Sequence, residues 1–289
     1  MCVLVLIQLL FDLHAAPLTL GTINKAPAKE IRQFTPVAAH IADMLEFPGI
    51  QGGRVIVAAN IAQMADLLKT GQVDLYFDSP LIALGINHLS GAEMVLRRWK
   101  HDHQEYSSVI YVRNESTIQQ LSDLEGETIG FKDEHSSSGY LLPSIALAEA
   151  GLTLVPAAKL RTGKKPGQTG YLFTNANENT VVWVLFGKIA AGAGSREEFL
   201  TKARSEQERL RVIHESQPIP RHVVSFRPGM PEALRSALMD VLVTMHQSVK
   251  GREMLQRFEN TARFDPLPEE TVAQLEQMRS AVLAILGIP

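Results

Sequence analysis

The sequence predicts an α/β protein built as two lobes, and three observations carry that expectation. Short β-branched segments alternate with amphipathic helical ones almost from end to end, the pattern of helices layered on a largely parallel sheet. At 289 residues, 45% hydrophobic and 20% charged, the chain exceeds what one small core requires. Two polar or proline-bearing stretches, His103 to Tyr106 and His214 to Pro220, let the chain leave a first lobe, build a second and return. The expected division is 17–105 with 215–289 for the first lobe and 106–214 for the second, joined by a two-crossover hinge.

Residues 1–16 read as a secretory signal peptide: an apolar run from Val3 to Phe11, then Ala15-Ala16-Pro17 as a small-residue cleavage site. No Lys or Arg precedes that run, and Asp12 and His14 stand where small neutral residues are usual, so a buried first strand or a misassigned start is the other reading. Leu18 to Ile23 is the first expected strand, followed by a helix from Phe34 to Leu45 and a strand over Val55 to Ala58. Asn60 caps the next helix with Gln63 as its capping-box partner, and Gly71 closes it. Val73 to Phe77 is a strand ending in Asp78-Ser79-Pro80, where a polar cap followed by proline starts another helix.

Arg97, Arg98, Lys100, His101 and His103 read as a basic run on a solvated face. Tyr106 to Arg113 is strongly β, Asp123 to Gly126 a turn, and Thr128 to Phe131 a strand. The helix after Ser138 ends at Gly151, and Arg161 to Gly170 reads as an exposed insertion rich in Pro and Gly. A helix opened by Asn175 to Asn179 runs to Gly187, a strand covers Ile189 to Gly192, and Ser195 with Glu198 makes a second capping box. Arg211 to His214 and His222 to Phe226 are strand-like. Beyond them only helices are expected: Pro231 to Val249, Glu253 to Phe258 and Glu269 to Leu286.

A net charge of −3 gives no positive field to gather nucleic acid, though a small anion needs only a local site. Cys2 is the one cysteine, so an intramolecular disulfide and a cysteine zinc motif are both excluded. The stretch that carries chemistry runs from Gly130 through Lys132, Asp133 and His135 to Ser136-Ser137-Ser138-Gly139-Tyr140 and Pro143. A strand enters a hydroxyl-rich loop and a helix leaves it. The first backbone N–H groups of a helix have no internal partners and carry the positive end of its dipole, so an anion docked there meets donors already in place. The serines add three hydroxyl donors, and Gly139 lets the backbone approach a ligand closely. Charge-assisted hydrogen bonds contribute roughly 1.5 to 3 kcal/mol each, so three or four support the ~8 kcal/mol of micromolar binding. Helix capping by the serines is the alternative reading.

This segment resembles the signature of the phosphate/phosphite/phosphonate-binding proteins of ABC transporters, and the similarity extends to Phe34-Thr35-Pro36, Gly71 to Asp74, Leu124-Glu125-Gly126, Gly187-Lys188 and Ile219-Pro220 to Arg227-Pro228. The resemblance implies the class II periplasmic binding fold, closure over a small phosphorus oxyanion, and delivery to an ABC permease in the inner membrane. It implies a periplasmic location and a monomer, with neither cofactor nor metal. Ser136, Ser137, Ser138 and Gly139 would meet the oxyanion and Ser79 would face it from the first lobe. Phe34 and Tyr106 would wall the cleft, and Asn177 would stand at a third helix start, where relatives often carry a ligand-facing His. Two positions depart from the pattern. Asp78 replaces an aromatic residue, and its carboxylate would repel a dianion unless protonated or paired; Ala190 stands where many relatives have an aspartate. An enzyme is the rival from another class, but G-x-S-x-G, P-loop, dinucleotide and H-E-x-x-H motifs are all absent. A binding protein that acts on a membrane signalling partner is the other alternative.

Overall fold

The computed structural model describes residues 15–24, 27–160, 166–202 and 207–289. The expected leader falls on residues 1–14, outside the described residues. The chain opens with β1 (Ala16–Ile23), α1 (Pro27–Leu45), β2 (Ile50–Ala58), α2 (Ile61–Lys69), β3 (Leu75–Asp78), α3 (Pro80–Ser90) and β4 (Glu93–Lys100). After β5 (Glu105–Tyr106) come β6 (Ser108–Arg113), β7 (Thr128–Phe131), α4 (Leu142–Glu149), β8 (Thr153–Pro156), α5 (Ala157–Leu160) and β9 (Gln168–Phe173). Then follow α6 (Asn177–Leu185), β10 (Ala191–Ser195), α7 (Arg196–Lys202) and β11 (Leu210–Glu215). The last part holds β12 (Ile219–Pro220), β13 (His222–Phe226), α8 (Glu232–Thr244), α9 (Val249–Arg257), β14 (Thr261–Pro266) and α10 (Glu269–Leu286).

These strands form two six-stranded sheets, ordered β14-β4-β13-β3-β1-β2 and β11-β6-β10-β7-β9-β8, each the centre of one lobe. Between them β5 pairs with β12, Tyr106 opposite Ile219, where the chain crosses from lobe to lobe. The expected largely parallel sheet is a mixed one in both lobes. β1 pairs in parallel with β2 and β3, and β7 with β9 and β10, whereas β4, β6, β11, β13 and β14 pair antiparallel. β13 and β6 each enter directly from a crossover and run opposite to their βα neighbours, and β14, arriving after α9, runs with β13.

Local signals were followed closely. Gln63 N–H donates to Asn60 Oδ1 at 2.9 Å, Gly71 closes α2 at φ +71°, and Pro80 opens α3 behind Ser79. The differences arise where partners, not neighbours, decide. α1 starts at Pro27 and runs through Pro36, so it is seven residues longer than expected; an N-terminal proline and Glu30 in the first turn suit a helix start. Of the basic run, Arg97, Arg98 and Lys100 belong to β4, an interior strand on which Val95, Leu96, Arg97 and Arg98 are all buried, while His101 and His103 lie exposed beyond its end. Of the expected insertion, 161–165 lies outside the described residues and 168–170 is part of β9. Thr261–Pro266 is an edge strand on β4, not helical ground. Tyr106 to Arg113 divides between the crossover pair and the second sheet.

The first lobe's core gathers Phe34, Phe77, Phe258 and Phe264 edge to face, Phe34 and Phe258 at 4.6 Å between centroids. α1 crosses β2 at Gly53, where an added Cβ would lie 2.1 Å from the carbonyl carbon of Ala38. No side-chain motion relieves a clash with backbone. Gly53→Ala is therefore expected to destabilise the protein by about 2 to 3 kcal/mol, read as a lower melting temperature; an unchanged melting temperature would show that α1 does not pack so closely.

Candidate functional site

The carboxyl ends of parallel strands from both lobes converge on one cavity of about 600 Å³. β1 brings Thr22 and Asn24, β3 brings Asp78 and Ser79, β4 brings Arg98 and Lys100, and the serine loop brings Lys132 and Ser136 to Ser138. Tyr106 of the crossover pair and Arg221 just after it line the cavity with His222, and Phe34 forms part of its wall.

The three serines do different things. Ser136 is a cap: its Oγ accepts from Gly139 N–H at 3.0 Å at the start of a π-helical turn over Ser137–Leu141 that leads into α4. Ser137 Oγ accepts from Leu81 N–H of α3 at 3.2 Å, bridging the lobes. Ser138 holds the loop to β6 through its carbonyl, which accepts from Ser108 Oγ at 2.6 Å. Backbone N–H groups of Ser137 and Ser138 find no acceptor among the described residues. Both readings of the loop are thus present: one serine caps, and all three line the cavity.

Across the cavity Ser79 is the N-cap residue of α3, yet its buried Oγ makes no hydrogen bond. A buried hydroxyl without a partner costs about 1 to 3 kcal/mol, so this one is poised for a group that enters the cavity. Asp78 precedes it. Its Oδ2 accepts from the Tyr76 hydroxyl and its Oδ1 from Ser79 N–H, both at 2.6 Å. Burial pushes its carboxyl up to about 6, with Tyr76 and Ser79 pulling the other way.

Sequence reasoning placed Arg98 and Lys100 on a solvated face; they are cavity groups. Arg98 is fully buried, donating to the Phe258 carbonyl at 2.9 Å, Thr261 Oγ1 at 2.8 Å and Glu259 at 3.1 Å, with its guanidinium 3.8 Å above the Phe258 ring. Lys100 pairs with the same Glu259 at 3.0 Å. Burial pushes the Glu259 carboxyl up, but the two cations more than offset it and hold it at about 2. Glu259 and Asn260 both adopt left-handed φ, near +50°, and Asn175, also on the cavity, does so at +63°. Strained backbone of this kind persists only where surroundings over-determine it, and it gathers at functional sites.

Arg221 was missed. It follows Pro220, lies 4.7 Å over the Tyr106 ring and 3.6 Å from Glu197, and reaches the cavity from the crossover, with no local pattern to betray it. Gly139 does not line the cavity. Its missing side chain makes room for Ser136 Oγ and Lys132 Cβ, each within 3 Å of where a Cβ would be. Asn177 does not line it either: it borders a separate void of about 10 Å³ with Tyr111, and Asn175 takes the place at the cavity. Ala190 packs in the second lobe's core and donates its N–H to Thr128, so an acid there would not face this cavity.

Two α/β lobes, a paired double crossover and a polar cavity at converging strand ends define a class II periplasmic binding protein. The family described as "ABC transporter, phosphonate, periplasmic substrate-binding protein" matches residues 22–272, and the chain belongs to it. That is a family of transport binding proteins, not of enzymes. The chain is similar to XAC2383 from Xanthomonas citri bound to chloride ion, with 27% identity over 93% of this chain and 98% of that one and a TM-score of 0.83. The same protein bound to ATP aligns with 25% identity over 93% and 97% and a TM-score of 0.81. PhnD1 from Prochlorococcus marinus in complex with methylphosphonate shares the fold, with 16% identity over 93% and 98% and a TM-score of 0.63. Among the described residues no helix is long and apolar enough to cross a membrane.

The Arg98–Glu259–Lys100 cluster sets an acid limit on the fold. A folded value of about 2 against 4.5 means that the cluster stabilises the protein above pH 4.5, and that this contribution, about 3 kcal/mol, is lost as pH falls toward 2. Glu259→Gln is expected to lower stability at pH 7 by about 3 kcal/mol and to flatten the acid limb of a urea-denaturation series between pH 5 and 2. An acid limb as steep as the wild type's would assign it to other carboxyls.

Proposed function

We propose that this protein binds a small phosphorus oxyanion (phosphate, phosphite or an alkylphosphonate) in the interlobe cavity and passes it, as a periplasmic monomer without turnover of its own, to a membrane permease. The phosphoryl group sits between the serine loop and the start of α3. The lobes comprise 17–105 with 215–289 and 106–214, and the β5·β12 pair serves as their hinge. The observation that carries this reading is the buried, unpartnered Ser79 Oγ across from a loop in which the Ser137 and Ser138 N–H groups find no acceptor among the described residues, donors on both sides of one space. Lys132 and Arg221 add positive charge around that space.

The family's phosphonate description supports the ligand class, as does ATP, a phosphoryl compound, bound to the Xanthomonas citri relative. At about 600 Å³ the cavity exceeds what a bare oxyanion fills, so it accommodates a substituent on phosphorus.

Ser79→Ala separates binding from folding. Removing an unpaired hydroxyl is expected to leave the melting temperature unchanged or higher, while the dissociation constant for inorganic phosphate or methylphosphonate rises at least about tenfold by titration calorimetry. Ser137→Ala with Ser138→Ala should weaken binding about a hundredfold, whereas Ser136→Ala should mainly cost about 1 kcal/mol of stability as a lost cap. Wild-type affinity in both the Ser79 and the Ser137/Ser138 variants would place the anion elsewhere.

A further inference from the structure

We propose that His222 and Arg221 form a second anion subsite beside the phosphoryl position, so that the cavity selects a phosphonate or phosphate ester carrying a carboxylate. The inference rests on the reading of the cavity as a phosphoryl site and names what the substituent on phosphorus bears. Its basis is a set of polar atoms that the protein leaves open. Besides Ser79 Oγ, two further buried atoms of cavity residues have no hydrogen-bond partner among the described residues: His222 Nδ1 and Arg221 Nε. Strand register sets them in a line. Val223 of β13 lies opposite Asp78 of β3, which brings His222 level with Ser79, and His222 in turn lies opposite Arg98 of β4. Neighbouring strands are about 4.8 Å apart, so the row continues for about 5 to 10 Å beyond Ser79, farther than the oxygens of a single phosphoryl group extend. Arg221 adjoins His222 in the chain and is itself buried, with its guanidinium over the Tyr106 ring.

The carboxylates around the cavity, by contrast, are engaged. Glu30 accepts from Asn24, Asp78 from Tyr76 and Ser79, Asp133 from His135, Glu198 from Ser195 and Glu259 from Arg98. An ammonium tail therefore meets no carboxylate that lacks a partner, whereas a carboxylate tail meets two nitrogens that have none. A buried polar group without a partner is unfavourable, and a ligand that supplies one removes that penalty. Glu197 is the counter-ion of Arg221, but at 3.6 Å its oxygen stands outside hydrogen-bond reach and the residue does not line the cavity. The planar fork of a guanidinium matches a carboxylate, and burial gives that match its strength. Burial first, then Lys100, Arg98, Arg221 and Lys132, hold His222 well below 6.5. It is neutral at pH 7, and with its proton on Nδ1 it donates to an anion. All four of those cations line the cavity, so positive charge surrounds this subsite from β4, from the crossover and from the serine loop.

Titration calorimetry of purified protein at neutral pH with methylphosphonate, propylphosphonate, aminoethylphosphonate and phosphonopropionate tests the idea. Propylphosphonate has a tail of similar length to that of phosphonopropionate and no charge on it, so the ratio of their dissociation constants isolates the carboxylate. Phosphonopropionate should bind at least about tenfold tighter than propylphosphonate and than aminoethylphosphonate. Arg221→Gln should reduce the preference over propylphosphonate at least about fivefold, and so should His222→Leu. A ratio taken within one protein is unaffected by a loss of active material or a weaker phosphoryl site, and the wild-type comparison decides by itself where a variant fails to fold. Propylphosphonate or aminoethylphosphonate bound as tightly as phosphonopropionate, or a preference that survives both substitutions, overturns the proposal and leaves the phosphoryl site standing. Binding of none of the four phosphonates, nor of inorganic phosphate, by the wild type overturns both.

Discussion

A guanidinium sealed inside the first lobe constrains much of what surrounds it. Arg98 leaves an interior strand with no water to solvate it, so the chain must supply acceptors, and it does so from one turn: the Phe258 carbonyl, Glu259 and Thr261. Meeting those three acceptors brings the start of β14 onto β4 and presses the Phe258 ring into the aromatic cluster with Phe34 and Phe77. The same requirement holds Glu259 and Asn260 in left-handed backbone, tied by the bond from His101 N–H to the Asn260 carbonyl at 2.9 Å. Glu259 then fixes Lys100 at the cavity wall. A packing decision in the core thereby sets charge at the site, through one side chain.

The opposite wall works by hydrogen bonding more than by charge. The chain as a whole is anionic, −3, and the cavity carries carboxylates as well as cations, so attraction at a distance is a small part of any affinity. What the second lobe contributes is a loop shaped so that its first N–H groups remain unpaired while its frame is fully tied: Asp133 Oδ1 accepts from His135 N–H, Ser136 caps, Lys132 N–H bonds to the Gly139 carbonyl, and Ser138 is pinned by Ser108. Rigidity around open donors is preorganisation, and it spares a ligand the ordering cost that flexible side chains would impose.

How much of this the sequence disclosed depends on how far apart the interacting residues lie. Thr128–Phe131, the Asn60 cap and the Ser79-Pro80 helix start were legible because each is decided within a few residues. β4 and β14 were not, since Arg97 and Arg98 look like a solvated face until Asp265, 168 residues on from Arg97, and Glu259 supply their partners. The serine loop announced itself by composition, but not the division of labour within it: Leu81 lies 56 residues from Ser137. Gly139 illustrates the converse. A glycine there signals close approach, and what approaches is Ser136 Oγ and the Lys132 Cβ.

Ser137 joins the two walls of the cavity. A hydroxyl that accepts a hydrogen bond still has its own O–H to give, so Ser137, while accepting from Leu81 N–H across the lobes, keeps a donor for a group in the cavity. On the proposed reading an anion accepts a hydrogen bond from that O–H, which polarises the hydroxyl and strengthens its hold on Leu81 N–H, because hydrogen bonds in a chain reinforce one another in a low-dielectric interior. The amino end of α3, whose dipole favours negative charge, then acts on the anion through Ser137 as well as through Ser79. On the proposed reading, ligand affinity and lobe closure share this bond. Whatever opens the lobes breaks the Leu81–Ser137 contact and withdraws the α3 terminus from the ligand in the same step, which is the coupling a protein needs if it is to hold its cargo when closed and surrender it when opened.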